Sequence, residues 1–299
     1  MGTYQTQHEL SRRWDLWAVL QRILLILIIL SLVRITALLF TVVQTSYGPD
    51  MGEQYPTPSP VVFVSPTPGP SPTLSPLPDV LRYPLYSGNP YLPEIALTFD
   101  DGPNPPYTSQ ILAILQDYGE QATFNVIGSQ AAAYPALVQQ ESQQGNIIGN
   151  HTWTHPQLTH LSPAAVRHEL QSTSNEIQAD TGVLPTVFRP PYGEFNSSVQ
   201  SIAASLGLST VLWNVDPRDW SRPGTNAIIQ NVLKSVHNGS IILLHDGGGN
   251  RSETVAALPT IITRLDQRGF QFITIPRMIQ DLPSQGTGPA QIAPDQLSL

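Results

Sequence analysis

Between Tyr91 and Leu282 the sequence alternates short apolar segments with longer amphipathic ones, and this alternation limits the fold more than any other feature. Strands are predicted over Ile95–Phe99, Ala122–Ile127, Ile147–Gly149, Thr186–Arg189, Ser209–Val215, Ser240–Leu244 and Gln271–Ile275. Helices are predicted between them, with clear stop signals. Thr108–Tyr118 runs to Gly119, Ser198–Leu206 to Gly207 and Glu253–Arg268 to Gly269. Pro163–Thr181 opens on Ser162 as N-cap, with Pro163 in the first position, and stops at Gly182. Seven apolar strands joined through helices imply a parallel α/β sheet, and at this size curling into a barrel is the natural single-domain solution. An open doubly wound sheet satisfies the same pattern.

The flanks have a different character. An apolar run from Ile23 to Val33, interrupted by Arg34, resumes from Ile35 to Val43. Read through the arginine, the stretch of 21 residues is long enough to span a bilayer. The expected organisation is a cytoplasmic tail over 1–22 and an uncleaved transmembrane signal-anchor over 23–43, with a cleaved signal peptide as the alternative. Arg12, Arg13 and Arg22 precede the run and no basic residue follows Val43 until Arg82, so the N-terminus is expected inside and the remainder outside. Residues 44–90 form a linker whose stretch 56–79 carries nine prolines among Ser, Thr and Gly. In polyproline II at ~3.1 Å per residue, that stretch holds a domain about 75 Å from its anchor. The folded unit is placed at 91–283. The Gly/Pro/Gln-rich tail, 284–299, has too few apolar residues to fold.

Composition removes several classes of function. A formal net charge of −8 and a single lysine, Lys234, leave no basic cluster for a phosphate backbone, so nucleic acid is not an expected partner. With no cysteine there is neither a disulfide framework nor a thiolate metal site. A transition metal here must be held by histidine and carboxylate.

Functional groups of βα folds collect at the carboxyl ends of the strands. Asp100-Asp101-Gly102-Pro103, which taken by itself reads as a turn because Asp and Gly supply the backbone geometry, follows the first predicted strand, and Asn150 and His151-Thr152-Trp153-Thr154-His155 follow the third. Arg189-Pro190-Pro191-Tyr192-Gly193 closes the fourth, Asp216-Pro217-Arg218-Asp219-Trp220 follows the fifth, and Leu243-Leu244-His245-Asp246 ends the sixth. His151 and His155, four apart, point the same way if they share a helical turn. Two imidazoles and one carboxylate leave coordination open for water and substrate, the mark of a catalytic metal. Adjacent carboxylates leaving a strand diverge, so one can ligate while the other takes a proton from water. His245 has the ordinary pKa range of an acid for an amine leaving group, and Asp219 is placed to orient it. Asp246 and the glycines after it suggest an open loop. His8, His160, His168 and His237 carry no such signal.

These five motifs, in this order, resemble the polysaccharide deacetylases with a NodB-homology domain, family 4 of the carbohydrate esterases. The resemblance covers about Tyr91 to Ile279. It implies a distorted (β/α)7 barrel and removal of N-acetyl groups from N-acetylglucosamine-containing polysaccharide, peptidoglycan or chitin-like. It also implies one divalent metal, usually Zn²⁺ with Co²⁺ or Mn²⁺ as alternatives, on Asp101, His151 and His155. By the same resemblance Asp100 is the base, Arg189 orients it, and the Tyr192 backbone N–H stabilises the oxyanion. His245 is the acid tuned by Asp219, and Trp220 and Leu243 line the pocket for the acetyl methyl. One departure is visible: Asn125 stands where relatives commonly carry a second aromatic, which puts in question packing or the groups that support the site from behind, not the activity. Two rivals are a catalytically silent glycan-binding membrane protein, which should have lost a ligand, base or acid, and a metal amidase acting on non-sugar amides.

Overall fold

The computed structural model describes residues 80–283. The predicted anchor, most of the linker and the C-terminal tail lie outside them. Among the described residues no helix is long and apolar enough to cross a membrane.

The sheet is parallel and has seven strands. In chain order they are β1 (Glu94–Asp100), β2 (Thr123–Val126), β3 (Ile147–Asn150), β4 (Val187–Phe188), β5 (Ser209–Thr210), β6 (Ile241–His245) and β7 (Gln271–Phe272). The spatial order is β5-β4-β3-β2-β1-β6, with β7 paired to the start of β1. An isolated parallel bridge, Val215↔Ile242, brings the chain after β5 back against β6. That contact gives the sheet its barrel-like curl. The principal helices are α1 (Tyr107–Tyr118), α2 (Gly128–Ala133), α3 (Pro135–Gln143), α4 (Pro163–Thr181), α5 (Ser197–Ser205), α6 (Thr225–Ser235), α7 (Ser252–Asp266) and α8 (Ile275–Gln280).

Local chemistry explains the clearest boundaries. In α4 the Ser162 side chain accepts the Ala165 N–H, satisfying one of the first-turn donors, and Pro163 occupies a position whose N–H has no helical partner. The helix stops at Gly182, which takes the left-handed conformation at φ 76°. The predicted strand Ser209–Val215 survives only as Ser209–Thr210. Beyond Thr210 the backbone finds other partners: Arg189 takes the carbonyls of Val211 and Leu212, and the Leu212 N–H turns to Leu85. The sequence reading also passed over α2, α3, α6 and α8.

β1 is buried along its whole length, as a central parallel strand must be. Its alternate residues divide the interior in two. Ile95, Leu97 and Phe99 face outward and join Phe124, Leu244, Leu115 and Leu258 in the main core under the helices. Phe99 and Phe124, in register, stack with centroids 5.1 Å apart. Facing inward, Ala96, Val187, Val211 and Ile241 pack with Ile275 and Met278 of α8 and fill one end of the barrel. At the other end, beyond Thr98, the inward positions are polar. There Asp100 stands in register with Asn125 of β2 on one side and with His245 of β6 on the other.

Candidate active site

The polar end of the barrel opens into a cleft of about 460 Å³. Asp100, Asp101, His151, His155, Pro190, Tyr192, Trp213, Asp216, Trp220, Leu243 and His245 line it. Of the ten residues singled out in the sequence, eight are in that wall. Arg189 and Asp219 stand behind it, buried, each bonded to one of the eight.

Arg189 is fully buried and is the largest such side chain described. A guanidinium without water must find polar partners, and this one does. Its Nη1 donates to Thr98 Oγ1 (2.7 Å) and to Asp100 Oδ1 (2.9 Å), and its Nη2 donates to the Leu212 carbonyl (2.9 Å). The Trp213 ring lies 5.5 Å from the guanidinium carbon. Asp100 is thereby held by one oxygen, Oδ1. Its other oxygen lies 3.9 Å from His151 Nε2.

Asp101 Oδ1 lies 3.4 Å from His151 Nε2 and 3.3 Å from His155 Nε2. It is buried and makes no hydrogen bond by the usual geometry. The His151 Nδ1–H donates to the Arg189 carbonyl at 2.7 Å, which leaves Nε2 as the free lone pair. These three ligand atoms lie within 4.8 Å of one another. Burial pushes the Asp101 carboxyl up, but the facing His151, with His245 and His155, overcomes it and holds the group well below the ordinary carboxylate range. Burial and the neighbouring His151 push His155 down, toward the neutral ring a metal needs. His151 is pushed down by burial but drawn up more strongly by Asp100 and Asp101. The pocket therefore draws positive charge to the centre of the three ligand atoms, and the donor set fits a divalent transition metal.

His151 and His155 do not share a helical turn, contrary to the spacing argument. The chain between them is a loop, with Thr152 at φ 69° and His155 at φ 60°. Side chains hold that conformation: Asn150 Oδ1 accepts the Thr152 N–H, Thr152 Oγ1 accepts the His155 N–H, and Glu169 Oε2 on α4 accepts the Trp153 and Thr154 N–H groups. Asp101 (φ 73°) and Tyr192 (φ 61°) share the left-handed backbone, so four strained non-glycine residues gather at one cleft. Gly102 also has another reason than the turn proposed for it. A Cβ there would come within 2.0 Å of Asp246 Oδ2, so the loop after β1 packs directly on the loop after β6. Asp246 is accordingly buried rather than part of an open loop, donated to by Thr108 Oγ1 at 2.6 Å.

On the opposite wall His245 Nδ1 lies 2.8 Å from Asp219 Oδ1. Asp219 Oδ2 accepts the His245 backbone N–H (2.9 Å) and the Thr254 hydroxyl (2.8 Å). Fixed at both oxygens, Asp219 fixes the imidazole. Trp220, 45% exposed, forms the rim with the Arg218 guanidinium carbon 5.1 Å from its ring centroid, while Leu243 is buried in the wall.

The family model described as polysaccharide deacetylase matches residues 88–211. A peptidoglycan-N-acetylglucosamine deacetylase of Bacillus cereus is 40% identical over 188 residues, 62% of this chain and 88% of its own length. The chain belongs to the polysaccharide deacetylases. A chitooligosaccharide deacetylase of Bradyrhizobium sp. is 40% identical over 196 residues, covering 62% of this chain and 90% of that one. Among solved structures, a peptidoglycan N-acetylglucosamine deacetylase in complex with 4-naphthalen-1-yl-N-oxidanyl-benzamide superposes with a TM-score of 0.64 at 36% identity. It covers 66% of this chain and 92% of its own. As a polysaccharide deacetylase the chain is a hydrolase of the amide bonds of N-acetylated sugars.

The deacetylase cleft also contains residues to which the sequence reading gave no role. Thr98 and Thr254 hold Arg189 and Asp219, Glu169 clamps the histidine loop, and Trp213 and Asp216 line the wall. Glu169 and Thr254 sit on helices, where nothing in the spacing marks them. Asn125 did leave a signal, a polar residue inside an apolar strand, and its place beside Asp100 falls on the second of the two expectations for it, among the groups that support the site rather than in packing alone.

The environment of His245 gives a direct expectation for pH. Burial lowers its pKa, but the Asp219 hydrogen bond and charge, with Asp100 and Asp101, raise it above the ordinary 6.5. If His245 supplies a proton, the active form is the protonated one, and activity falls as pH rises through the raised pKa. The alkaline limb of kcat should therefore lie above the ordinary histidine value, and Asp219→Asn should move it toward lower pH. A limb that stays in place in Asp219→Asn removes His245 from the role of acid.

Proposed function

We propose that this polysaccharide deacetylase is metal-dependent and removes N-acetyl groups from N-acetylglucosamine-containing polysaccharide, peptidoglycan or chitin-like, outside the cytoplasm. The observation that carries the reading is that one cleft holds a ligand cluster together with two differently held acid–base groups: Asp100 gripped by Arg189, and His245 gripped by Asp219.

Asp101, His151 and His155 would hold the metal, and their chemistry of one carboxylate and two imidazoles suits Zn²⁺. When bound, the metal supplies Lewis acidity toward water and the acetyl oxygen. Asp100, its Oδ1 fixed, offers Oδ2 to take the proton of the attacking water. The Tyr192 N–H would donate to the oxygen that becomes negative. His245 would give the departing sugar nitrogen its proton, since an amine leaves poorly as an anion. Trp220 and Leu243 present apolar surface for the acetyl methyl. Nothing in this set is missing, which argues against a silent glycan-binding protein. A cleft open at the rim and edged by exposed aromatic faces, Tyr192 and Trp220, favours a sugar polymer over a small amide.

Location outside the cell rests on the sequence alone, on the apolar run 23–43 and the arginines before it. One experiment addresses substrate and location together. The full chain, incubated with peptidoglycan and with N-acetylated chitooligosaccharide, should yield products lighter by one acetyl group per event in mass spectra, and chelator should abolish them. Protease added to intact cells should release the same activity. Acetyl loss from neither glycan, or activity that protease cannot reach, overturns the corresponding half of the proposal.

A further inference from the structure

Asn125 sits beside Asp100 on the neighbouring strand, and its Nδ2 donates to Asp100 Oδ1 at 2.7 Å. Both residues are buried. A carboxylate oxygen already paired with Arg189 can only accept, so the amide must present its NH₂ to Asp100. Its own carbonyl oxygen then points away and finds no partner. A buried acceptor left unpaired is costly, and its retention calls for a gain elsewhere. Room for the amide comes from the next strand over, where Gly149 stands in register with Asn125. A Cβ on Gly149 would come within 2.3 Å of Asn125 Oδ1. Strand register, a glycine and a buried amide thus converge on one oxygen of Asp100.

We propose that Asn125 is a positioning residue for the proton-accepting carboxylate. With Arg189 Nη1 at 2.9 Å and Asn125 Nδ2 at 2.7 Å, Oδ1 carries two donors. Both of its lone pairs are used, and the carboxylate cannot turn about Cβ–Cγ without breaking both bonds. Oδ2 is then the one oxygen left to face the cleft. Arg189 alone would not give this result, because it places a single donor on Oδ1, about which the carboxylate could still pivot. Asn125 supplies a second anchor from the opposite side, through a strand where an aromatic side chain would only pack.

This inference rests on Asp100 being the base, so Asp100→Asn is measured beside it. In the full chain, Asn125→Leu keeps the branched outline of the side chain, at a larger volume, and removes the donor. With N-acetylated chitooligosaccharide as substrate, kcat should fall about 10- to 100-fold, the size of one hydrogen bond to a charged group. KM and bound metal should stay at the wild-type values, which a general packing defect would not spare. Should Asn125→Leu fail to fold, Asn125→Ser and Gly149→Ala carry the test. Each should lower kcat, and together they should be no slower than Asn125→Ser alone, because without the amide the added methyl displaces nothing. An unchanged kcat in Asn125→Leu, a loss carried by KM or by metal content, or full additivity of the Asn125→Ser and Gly149→Ala losses overturns the inference. If Asp100→Asn keeps its rate, the base assignment itself fails. If Asp100→Asn is slow and Asn125→Leu is not, only the role given to Asn125 falls.

Discussion

Asp100→Asn should slow deacetylation of an N-acetylated glycan by about 10²–10⁴-fold, the usual contribution of a general base, while the chain keeps its metal. The geometry makes this a clean substitution. Asparagine has the same size, and its oxygen can occupy the Oδ1 position and accept from Arg189 and Asn125. What it cannot do is accept a proton at the other terminus. Asp101→Asn should give the opposite signature. Asp101 Oδ1 lies 3.4 Å and 3.3 Å from the two histidine Nε2 atoms and makes no other bond, so replacing the anion by a neutral amide should weaken metal binding first and turnover as a consequence. Metal analysis and kinetics on the same preparations separate the two. Metal lost from Asp100→Asn and kept by Asp101→Asn would reverse the assignment of base and ligand.

His151→Ala should remove stoichiometric metal and detectable activity together, a larger effect than any single acid–base change. His151 is the most enclosed of the three ligands, and its ring is fixed from behind by the Arg189 carbonyl at 2.7 Å. Its loss leaves one imidazole and one carboxylate, below the three protein ligands of a catalytic site. It also leaves Asp100 and Asp101 facing each other without the cationic or metallated ring between them. His155→Ala should act in the same direction. Elemental analysis of the purified full chain, before and after chelation, checks both. Full activity in a chelated, metal-free sample would falsify the metal-dependent mechanism.

The cleft was legible because a parallel sheet delivers its strand ends to one place. Once Asp100, His151, Arg189 and His245 were read as strand-end residues, their convergence followed without knowledge of side-chain geometry. What the sequence could not show was the work done by atoms with no periodicity. The histidine pair was read as a helical turn because its spacing is four, yet Asn150, Thr152 and Glu169 bond the loop into a left-handed path that spacing does not encode. Gly102 was read as a turn former, although the requirement is the closeness of Asp246. The strand predicted through Val215 was cut short because Arg189, distant in sequence, claims the carbonyls that a ladder would have used. Asn125 was noticed as a departure bearing on packing or on the groups behind the site, with no partner named. Assigning it required the register of β1 on β2, which only long-range pairing fixes.

The in-register row formed by Asn125, Asp100 and His245 on three adjacent strands makes the sheet a measuring device. Neighbouring strands lie about 4.8 Å apart, so the backbones carrying Asp100 and His245 are separated by one rung. That interval is set by main-chain hydrogen bonds, which no surface substitution can stretch. The rim around Tyr192, Asp216 and Trp220 is by contrast exposed and unconstrained by the ladder. The rung keeps Asp100 and His245 at a fixed backbone interval, and the rim is free to vary around them.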